Sequence, residues 1–435
     1  MSTTPPAPTA SAATPRDTPL DASLDAPRPD SAPAASPAGR AVAAPAGRSG
    51  PPSALLLAVI SLCTAVTVAN IYLAAPLLGL IARGFGVPAA GVSWITALSQ
   101  LGYALGLLSF APLGDTANRR RLVAVLSAVT AVAMTVAGFA PGLPALGAAL
   151  LVAGATTVIP QLLVPLVAER APAARRGLHV AAVVAGLFTG IVAARVVGGL
   201  AGQAYGWRAV LLGSAVLTAL IGSVTAALLP PERREVSGGL LSRIGRGVAQ
   251  VPGMLLSSAD LRRACLRQGG LFGVWSALWT AVVLLLTGAP YHFSTATAGL
   301  FGLFGLVSAM VSPLAGGLID RFGNDRVVSA AYGLTLASVP FFWLGGHQLW
   351  ALCLAAVLIH AGLVCGQVAN QTRALTATGS PATANTAYMV AAFFAGALAS
   401  ALTGPVFTHW HWPGVCALAL VWLTAGRFLP HHGRR

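Results

Sequence analysis

From residue 54 onward the chain alternates between long apolar stretches and short polar intervals that hold most of its charged residues. The stretches fall at 54–82, 91–113, 122–140, 143–168, 178–205 and 209–229, then at 271–289, 298–319, 327–345, 349–368, 384–406 and 410–426. Each is near the length a helix needs to cross roughly 30 Å of hydrocarbon. Only helices can cross in such runs, because every backbone polar group must find its partner inside its own segment. The pattern predicts an all-α membrane protein with twelve transmembrane helices.

The polar intervals test that count. All cations in the chain are arginine, 26 of them. With the N-terminus inside, the alternation of twelve crossings puts every arginine except Arg83, Arg195 and Arg208 on the cytoplasmic side. A miscounted helix would invert every later loop, so the asymmetry supports both the count and the orientation. Both termini are expected in the cytoplasm. Residues 1–52, rich in Pro, Ala, Ser and Thr, read as a disordered cytoplasmic tail rather than a signal peptide. Six-helix bundles are expected over 53–229 and 269–428, with a second cytoplasmic tail over 429–435. The interval 230–268 carries seven arginines and the apolar positions Leu240, Leu241, Ile244, Val248, Val251 and Leu255. It reads as a cytoplasmic linker, partly an amphipathic helix on the lipid surface or else plainly solvated.

Composition narrows the function. The chain is 56% hydrophobic and only 9% charged, against about a quarter charged in soluble proteins. The formal balance of +15 lies between apolar runs rather than on one groove-reading surface, so no nucleic-acid partner is expected. The cysteines Cys63, Cys265, Cys353, Cys365 and Cys416 show no metal-ligand spacing and are expected as free thiols. No phosphate-cradling loop, nucleophile elbow or paired-histidine zinc helix occurs, so no enzyme activity, cofactor or metal is expected.

The two sets of six repeat. Asp115 and Asp320, at the ends of the second and eighth stretches, stand 205 residues apart, as do Trp207 and Trp412. A shared offset argues for two six-helix units with a substrate path between them. Here the chain resembles the major facilitator superfamily, whose loop between the second and third helices reads Gly-x-Leu-Ala-Asp-Arg-x-Gly-Arg-Arg. This chain has Ala111-Pro112-Leu113-Gly114-Asp115-Thr116-Ala117-Asn118-Arg119-Arg120, with Thr116 in place of the first arginine, and then Arg121. The copy Gly316-Gly317-Leu318-Ile319-Asp320-Arg321-Phe322-Gly323 is closer. The resemblance implies a cytoplasmic gate of Asp115, Arg119, Arg120, Arg121, Asp320 and Arg321, in which carboxylates face clustered cations. The plainer alternative is topological anchoring.

The fifth stretch carries Gly190-Ile-Val-Ala-Ala194-Arg195-Val-Val-Gly198-Gly199. It resembles the Gly-x-x-x-Gly-Pro-x-x-Gly-Gly of the superfamily's drug-exporter branch, with Gly-Pro replaced by Ala194-Arg195. Small residues at that spacing let helices approach closely. The stretches Asn70-Ile71-Tyr72-Leu73-Ala74-Ala75-Pro76-Leu77-Leu78 and Gly206-Trp207-Arg208 are also similar to bacterial twelve-helix exporters.

No aspartate or glutamate falls inside any stretch, leaving Arg195 and His360 as the ionisable groups at depth. His360 suits proton loading, or else a neutral ring bonded between helices. Arg195 needs an acceptor: backbone carbonyls and amides such as Gln161, or an anionic substrate group. Asn70, Tyr72, Gln100, Tyr103, Gln161, Arg195, Trp275, Trp279, Gln367, Asn370 and Tyr388 are the candidate lining of the path, each alternatively a bond between helices. A mixed aromatic and polar cavity suits an amphipathic organic molecule. The expectation is a monomeric, proton-coupled efflux antiporter in the bacterial inner membrane, with a small-molecule substrate and the lipid bilayer as its partners. An importer or facilitator on the same fold, or a sensor that has lost transport, are the alternatives.

Overall fold

A computed structural model describes residues 53–115, 117–172, 175–230 and 240–428, without the side chains of Asp115, 240–244 and 246–247. The expected tails at 1–52 and 429–435 lie outside the described residues, as does the start of the linker. The first set of helices is α1 (Ala54–Tyr72), α2 (Ala74–Phe85), α3 (Trp94–Phe110), α4 (Arg119–Gly138), α5 (Leu143–Thr156), α6 (Ile159–Arg170) and α7 (Arg176–Leu228). After α8 (Leu240–Ser257) come α9 (Ala259–Thr287), α10 (Thr295–Leu300), α11 (Leu306–Phe322), α12 (Asn324–Leu344), α13 (Leu349–Thr376) and α14 (Pro381–Phe428).

Ten helical stretches among the described residues are long and apolar enough to cross a membrane. Two of them, α7 with 53 residues and α14 with 48, are too long for one crossing. At 1.5 Å per residue α7 would run about 80 Å, more than twice the hydrocarbon thickness. Each reverses at one residue with non-helical backbone: Gly206 (φ 80°) and His411 (φ 50°). Glycine takes that conformation without strain, whereas histidine does so uncommonly. Residues on both sides of Gly206 return to α1, Gly190 against Ala65 and Thr218 bonded to Asn70. Around His411, Gly396 lies against Phe272 and Gly426 against Gly270. Ten helices with two reversals make twelve crossings, and both reversals immediately precede the tryptophans of the sequence repeat, Trp207 and Trp412.

Local chemistry explains the breaks. Pro76 lacks the N–H that would bond the Tyr72 carbonyl, and Pro160 the one that would bond Thr156, so the first and fourth crossings break into α1/α2 and α5/α6 at those points. The helix starts are capped: Ser53 Oγ accepts from Leu56 N–H, Asn118 Oδ1 from Arg121 N–H and Ser258 Oγ from Leu261 N–H, each at 3.2 Å. The Ser258 cap, with Asp260 in the first turn, starts α9 at Ala259, ahead of the expected stretch at 271. The end of the expected linker is thus the first three turns of α9.

The first six crossings pack chiefly among themselves, as do the last six. Alternation places both described chain ends and α8 on one face, called here the linker face. On the opposite far face the two sets meet backbone to backbone. Gly199 lies against the Thr295 carbonyl and Gly299, and Gly404 against Ser93 and the Ala90 carbonyl. Thr295 N–H donates to Gln203 Oε1 at 3.2 Å across the same seam. Toward the linker face the α7–α11 seam loosens: only Ser308 and Ala315 of α11 are buried, and only Val183 of α7 before Gly190. Gly316 and Gly317 have open space around them. The other seam is covered there by α8, where Val251, Met254 and Leu255 pack on Leu108, Leu261 and Tyr388.

Candidate functional site

The site is built where α7 crosses α10 and the short turn Phe301–Gly305. Glycines make that approach possible. A Cβ on Gly302 would collide with Arg195 Cβ, and one on Gly299 would lie 2.6 Å from the Arg195 carbonyl oxygen. The small-residue motif of α7 therefore serves two interfaces. Gly190 and Gly198 pack within the first set, on Ala65 and on Leu73 and Pro76, while Gly199 packs across the seam on Gly299. Ala194 is buried between these contacts.

That packing leaves Arg195 buried at mid-crossing, enclosed by rings. Its guanidinium carbon lies 4.3 Å from the Trp279 ring centroid, 4.8 Å from Trp275 and 5.6 Å from Tyr72. The amide expected as its acceptor within the chain is engaged elsewhere: Gln161 donates to Tyr103 Oη at 3.2 Å. Nη1 is buried with no acceptor, and no carboxylate among the described residues pairs with the group. An arginine at a crossing's centre costs about 3 kcal/mol on insertion scales. A desolvated cation–π contact returns about 2 kcal/mol, so several rings are enough to hold the charge. They offer no in-plane acceptor to the Nη1 hydrogens, and that hydrogen-bonding capacity stays unused.

The same rings reach His360. Trp275 Nε1–H donates to His360 Nε2 at 3.3 Å, and the Trp279 and His360 rings are 5.2 Å apart. An accepting Nε2 places the ring proton on Nδ1, which then donates to the Ala356 carbonyl at 2.8 Å. The buried ring is in this arrangement neutral, with both nitrogens satisfied.

From Trp275 an aromatic ladder crosses back to the first set: Phe272 at 5.3 Å, then Phe393 at 4.9 Å, then Tyr103 at 4.5 Å. Beside it lies a polar bridge. Gln100 on α3 donates to Ser400 Oγ at 3.1 Å and accepts from Ser276 at 3.0 Å, and Thr280 donates to Ser400 at 3.2 Å. Tyr72, Gln100, Tyr103, Gln161, Arg195, Trp275, Trp279 and His360 are thus gathered along the boundary between the two sets. Phe272, Ser276, Thr280, Phe393 and Ser400 complete the group. Sequence reading missed them because short hydroxyls and phenylalanines in an apolar run look like ordinary filling.

The other candidates lie elsewhere. Asn70 is spent inside the first set, donating to Thr218 and accepting from Ser214. Tyr388 donates to the Gln367 carbonyl at 3.0 Å and belongs to the apolar cluster under α8. Asn370 is fully buried, with both side-chain polar atoms lacking partners among the described residues.

Among the described residues the linker-face charges form an ion-pair network in each set of crossings. Arg119, 2% exposed, forks onto Glu169 at 2.6 and 2.7 Å and donates Nε–H to the Gly114 carbonyl at 2.7 Å. Arg120 and Arg121 are exposed, and the Asp115 side chain lies outside the described residues. In the last six crossings the carboxylate held by two arginines is Asp325. It takes Arg267 at 2.7 Å and Arg373 at 2.8 Å. Asp320 is exposed and has no ion pair among the described residues, while Arg321 lies over the Phe322 ring at 5.1 Å. Each set therefore ties the start of its third crossing to the end of its fourth, with the signs exchanged: Arg119 to Glu169, Asp325 to Arg373. On the far face, Arg208 donates to the Gly138 and Ala140 carbonyls at 3.1 Å, closing the C-terminus of α4.

Comparisons with known proteins place this geometry. The model of the Major Facilitator Superfamily matches residues 60–403. A probable transporter of Streptomyces coelicolor is 61% identical over 381 residues, covering 87% of this chain and 88% of the relative. A putative uncharacterized transporter of Escherichia coli K12, YgaY, is 32% identical over 365 residues, covering 84% of this chain and 92% of the relative. Among solved structures, the nucleoside transporter NupG aligns with a TM-score of 0.67 at 13% identity, over 86% of this chain and 97% of that one. A likeness at that identity speaks to the fold.

Proposed function

The chain belongs to the major facilitator superfamily and is a multi-pass membrane transporter, and from that premise we propose that it exports a small amphipathic organic compound by alternating access, driven by protons. The observation that carries the reading is the boundary cluster. The aromatic ladder Trp275–Phe272–Phe393–Tyr103 runs beside the polar bridge Gln100–Ser276–Ser400, and both join the two sets of crossings. A compound with an apolar body and a few polar groups could replace those contacts from either face. A sugar phosphate or a bare ion suits such a largely apolar ladder less well. The carrier works as a monomer in the bacterial inner membrane, since the two sets enclose the cluster within one chain.

His360 is the candidate proton site. Charging Nε2 would displace the Trp275 N–H, and Trp275 also forms one wall around Arg195. A proton taken there would disturb the surroundings of Arg195 without a carboxylate in the crossing. In proteoliposomes with the parent protein, a screened substrate should exchange by counterflow and accumulate against its gradient when a pH gradient is imposed. His360→Gln should keep counterflow and lose pH-driven accumulation. If accumulation survives the substitution, the proton runs elsewhere. Movement only in the inward direction would replace export with import.

Orientation follows from arginine placement, with the linker face cytoplasmic. In a cysteine-free background, His347→Cys on the α12–α13 loop should react with an impermeant thiol reagent in intact cells. Ser257→Cys at the end of α8 should react only after permeabilisation. The reverse pattern would invert the whole assignment.

A further inference from the structure

The cluster contains one charged group whose hydrogen-bonding needs are left unmet among the described residues. Arg195 is buried with Nη1 unpartnered, on a helix whose neighbours have been cut back to glycine at Gly299 and Gly302 so that it can be there. Two of its three rings, Trp275 and Trp279, belong to the opposite set of crossings. The cation–π contacts thus bridge the α7–α9 boundary, close to where Gly199 and Gly299 close the far face.

We propose that Arg195 is the docking point for a carboxylate on the transported compound, and that the rings of Trp275 and Trp279 hold its guanidinium across the boundary until that carboxylate takes it. The proposal rests on the transport reading above and narrows its substrate class to amphipathic carboxylates.

Three observations favour this over a purely structural arginine. The planar fork offers two parallel N–H donors, a geometry that fits a carboxylate, and its acceptors here are faces rather than lone pairs. A carboxylate would form charge-assisted bonds in a site of low dielectric, where such a pair exceeds a cation–π contact. The ladder from Trp275 to Tyr103 begins at the guanidinium, so an anionic head at Arg195 would lay an apolar tail along Phe272 and Phe393. Organic cations are disfavoured by the charge already present. A phosphate or dicarboxylate is less suited, since no second cation among the described residues lies against these rings.

Transfer of the guanidinium from ring faces to a ligand also gives binding a mechanical consequence. While the rings hold it, the far face stays shut. Once a carboxylate takes it, the bridge between α7 and α9 weakens, and the two sets are freer to part there. A ligand shifts such an equilibrium only by binding one state better than the other, and this exchange of partners supplies the difference.

The test uses purified full-length protein and matched probes, a series of phenylalkyl carboxylates and their primary amides, read by tryptophan emission and by competition with counterflow. The parent should bind at least one carboxylate at millimolar concentration or below and its amide at least about tenfold more weakly. Arg195→Lys should retain part of that preference, and Arg195→Gln should lose it while remaining folded by size-exclusion profile. Reaction of Thr295→Cys with an impermeant thiol reagent should rise with the carboxylate in the parent, and rise without it in Arg195→Gln. Equal binding of acid and amide, no binding by any member of the series, or full preference in Arg195→Gln would overturn carboxylate docking. Unchanged Thr295→Cys reactivity would overturn the holding role. Should both variants fail to fold, the acid–amide comparison in the parent still decides. Counterflow of a neutral compound by the parent and by Arg195→Gln alike would sink the inference and leave export standing.

Discussion

Asp325→Ala should be among the most destabilising single changes on the linker face, although its carboxylate is 67% exposed. The reason lies in its partners. Arg267 and Arg373 are 5% and 12% exposed, and both direct their guanidinium groups at this one carboxylate. Removing the anion leaves two nearly buried cations facing each other. Stripping one partner from a buried pair costs about 3–5 kcal/mol, and water reaching the exposed side of the site favours the low end. A drop of about 5 °C in the midpoint of thermal unfolding in detergent is expected. Arg373→Ala should cost less, because Arg267 keeps the carboxylate. Asp320→Asn should leave the midpoint unmoved, its carboxylate having no ion pair among the described residues. If it is part of the linker-face gate, that variant should still slow counterflow. An Asp325→Ala midpoint matching the parent's would mean the arginines find other acceptors. Unchanged counterflow in Asp320→Asn would reduce its motif to an anchor.

Gly199→Val should give a folded protein with its far face open and its transport stalled. A Cβ at Gly199 would stand 2.8 Å from the Thr295 carbonyl and 2.9 Å from Gly299 Cα, which is backbone on the other set of crossings. Backbone cannot rotate aside, so the two sets must separate there. Overpacking of this kind costs about 1–3 kcal/mol. Two conformations of a carrier differ by a few kcal/mol, so the added strain moves their ratio by roughly tenfold or more. Thr295→Cys in that background should react with an impermeant thiol reagent much faster than in the parent, while counterflow falls to background. Gly190→Val is the contrast. Its Cβ would meet Ala65 within the first set, where no separation relieves the clash, and the expected result is loss of folded protein. If Gly199→Val behaved like Gly190→Val, the far-face contact would be part of a fixed core rather than a closing surface.

These two expectations separate what can be read along the chain from what cannot. Twelve apolar stretches of crossing length, with every arginine but Arg195 between them, determined the class and the count, because hydrophobic length and charge placement are local properties that the bilayer reads segment by segment. The caps at Ser53, Asn118 and Ser258 and the breaks at Pro76 and Pro160 are equally local. Arg195 and His360 stood out in the sequence because an ionisable group in an apolar run is costly wherever the helix packs.

What surrounds those groups was decided by packing alone. Nothing near Arg195 in the sequence points to Trp275 and Trp279, some eighty residues on and in the other set of crossings, or to Gly299 and Gly302 as the space that admits it. The fork of Arg119 onto Glu169 and the sharing of Asp325 by Arg267 and Arg373 were likewise hidden, since each pair joins residues far apart along the chain. Asn70 looked like lining and became an internal bond, because which way a polar side chain faces depends on the rotation of its helix against neighbours. Composition sets where the chain must be helical and buried in lipid. Only the close approach of helices distant in sequence settles which polar atoms are satisfied, and at Arg195 it leaves one that is not.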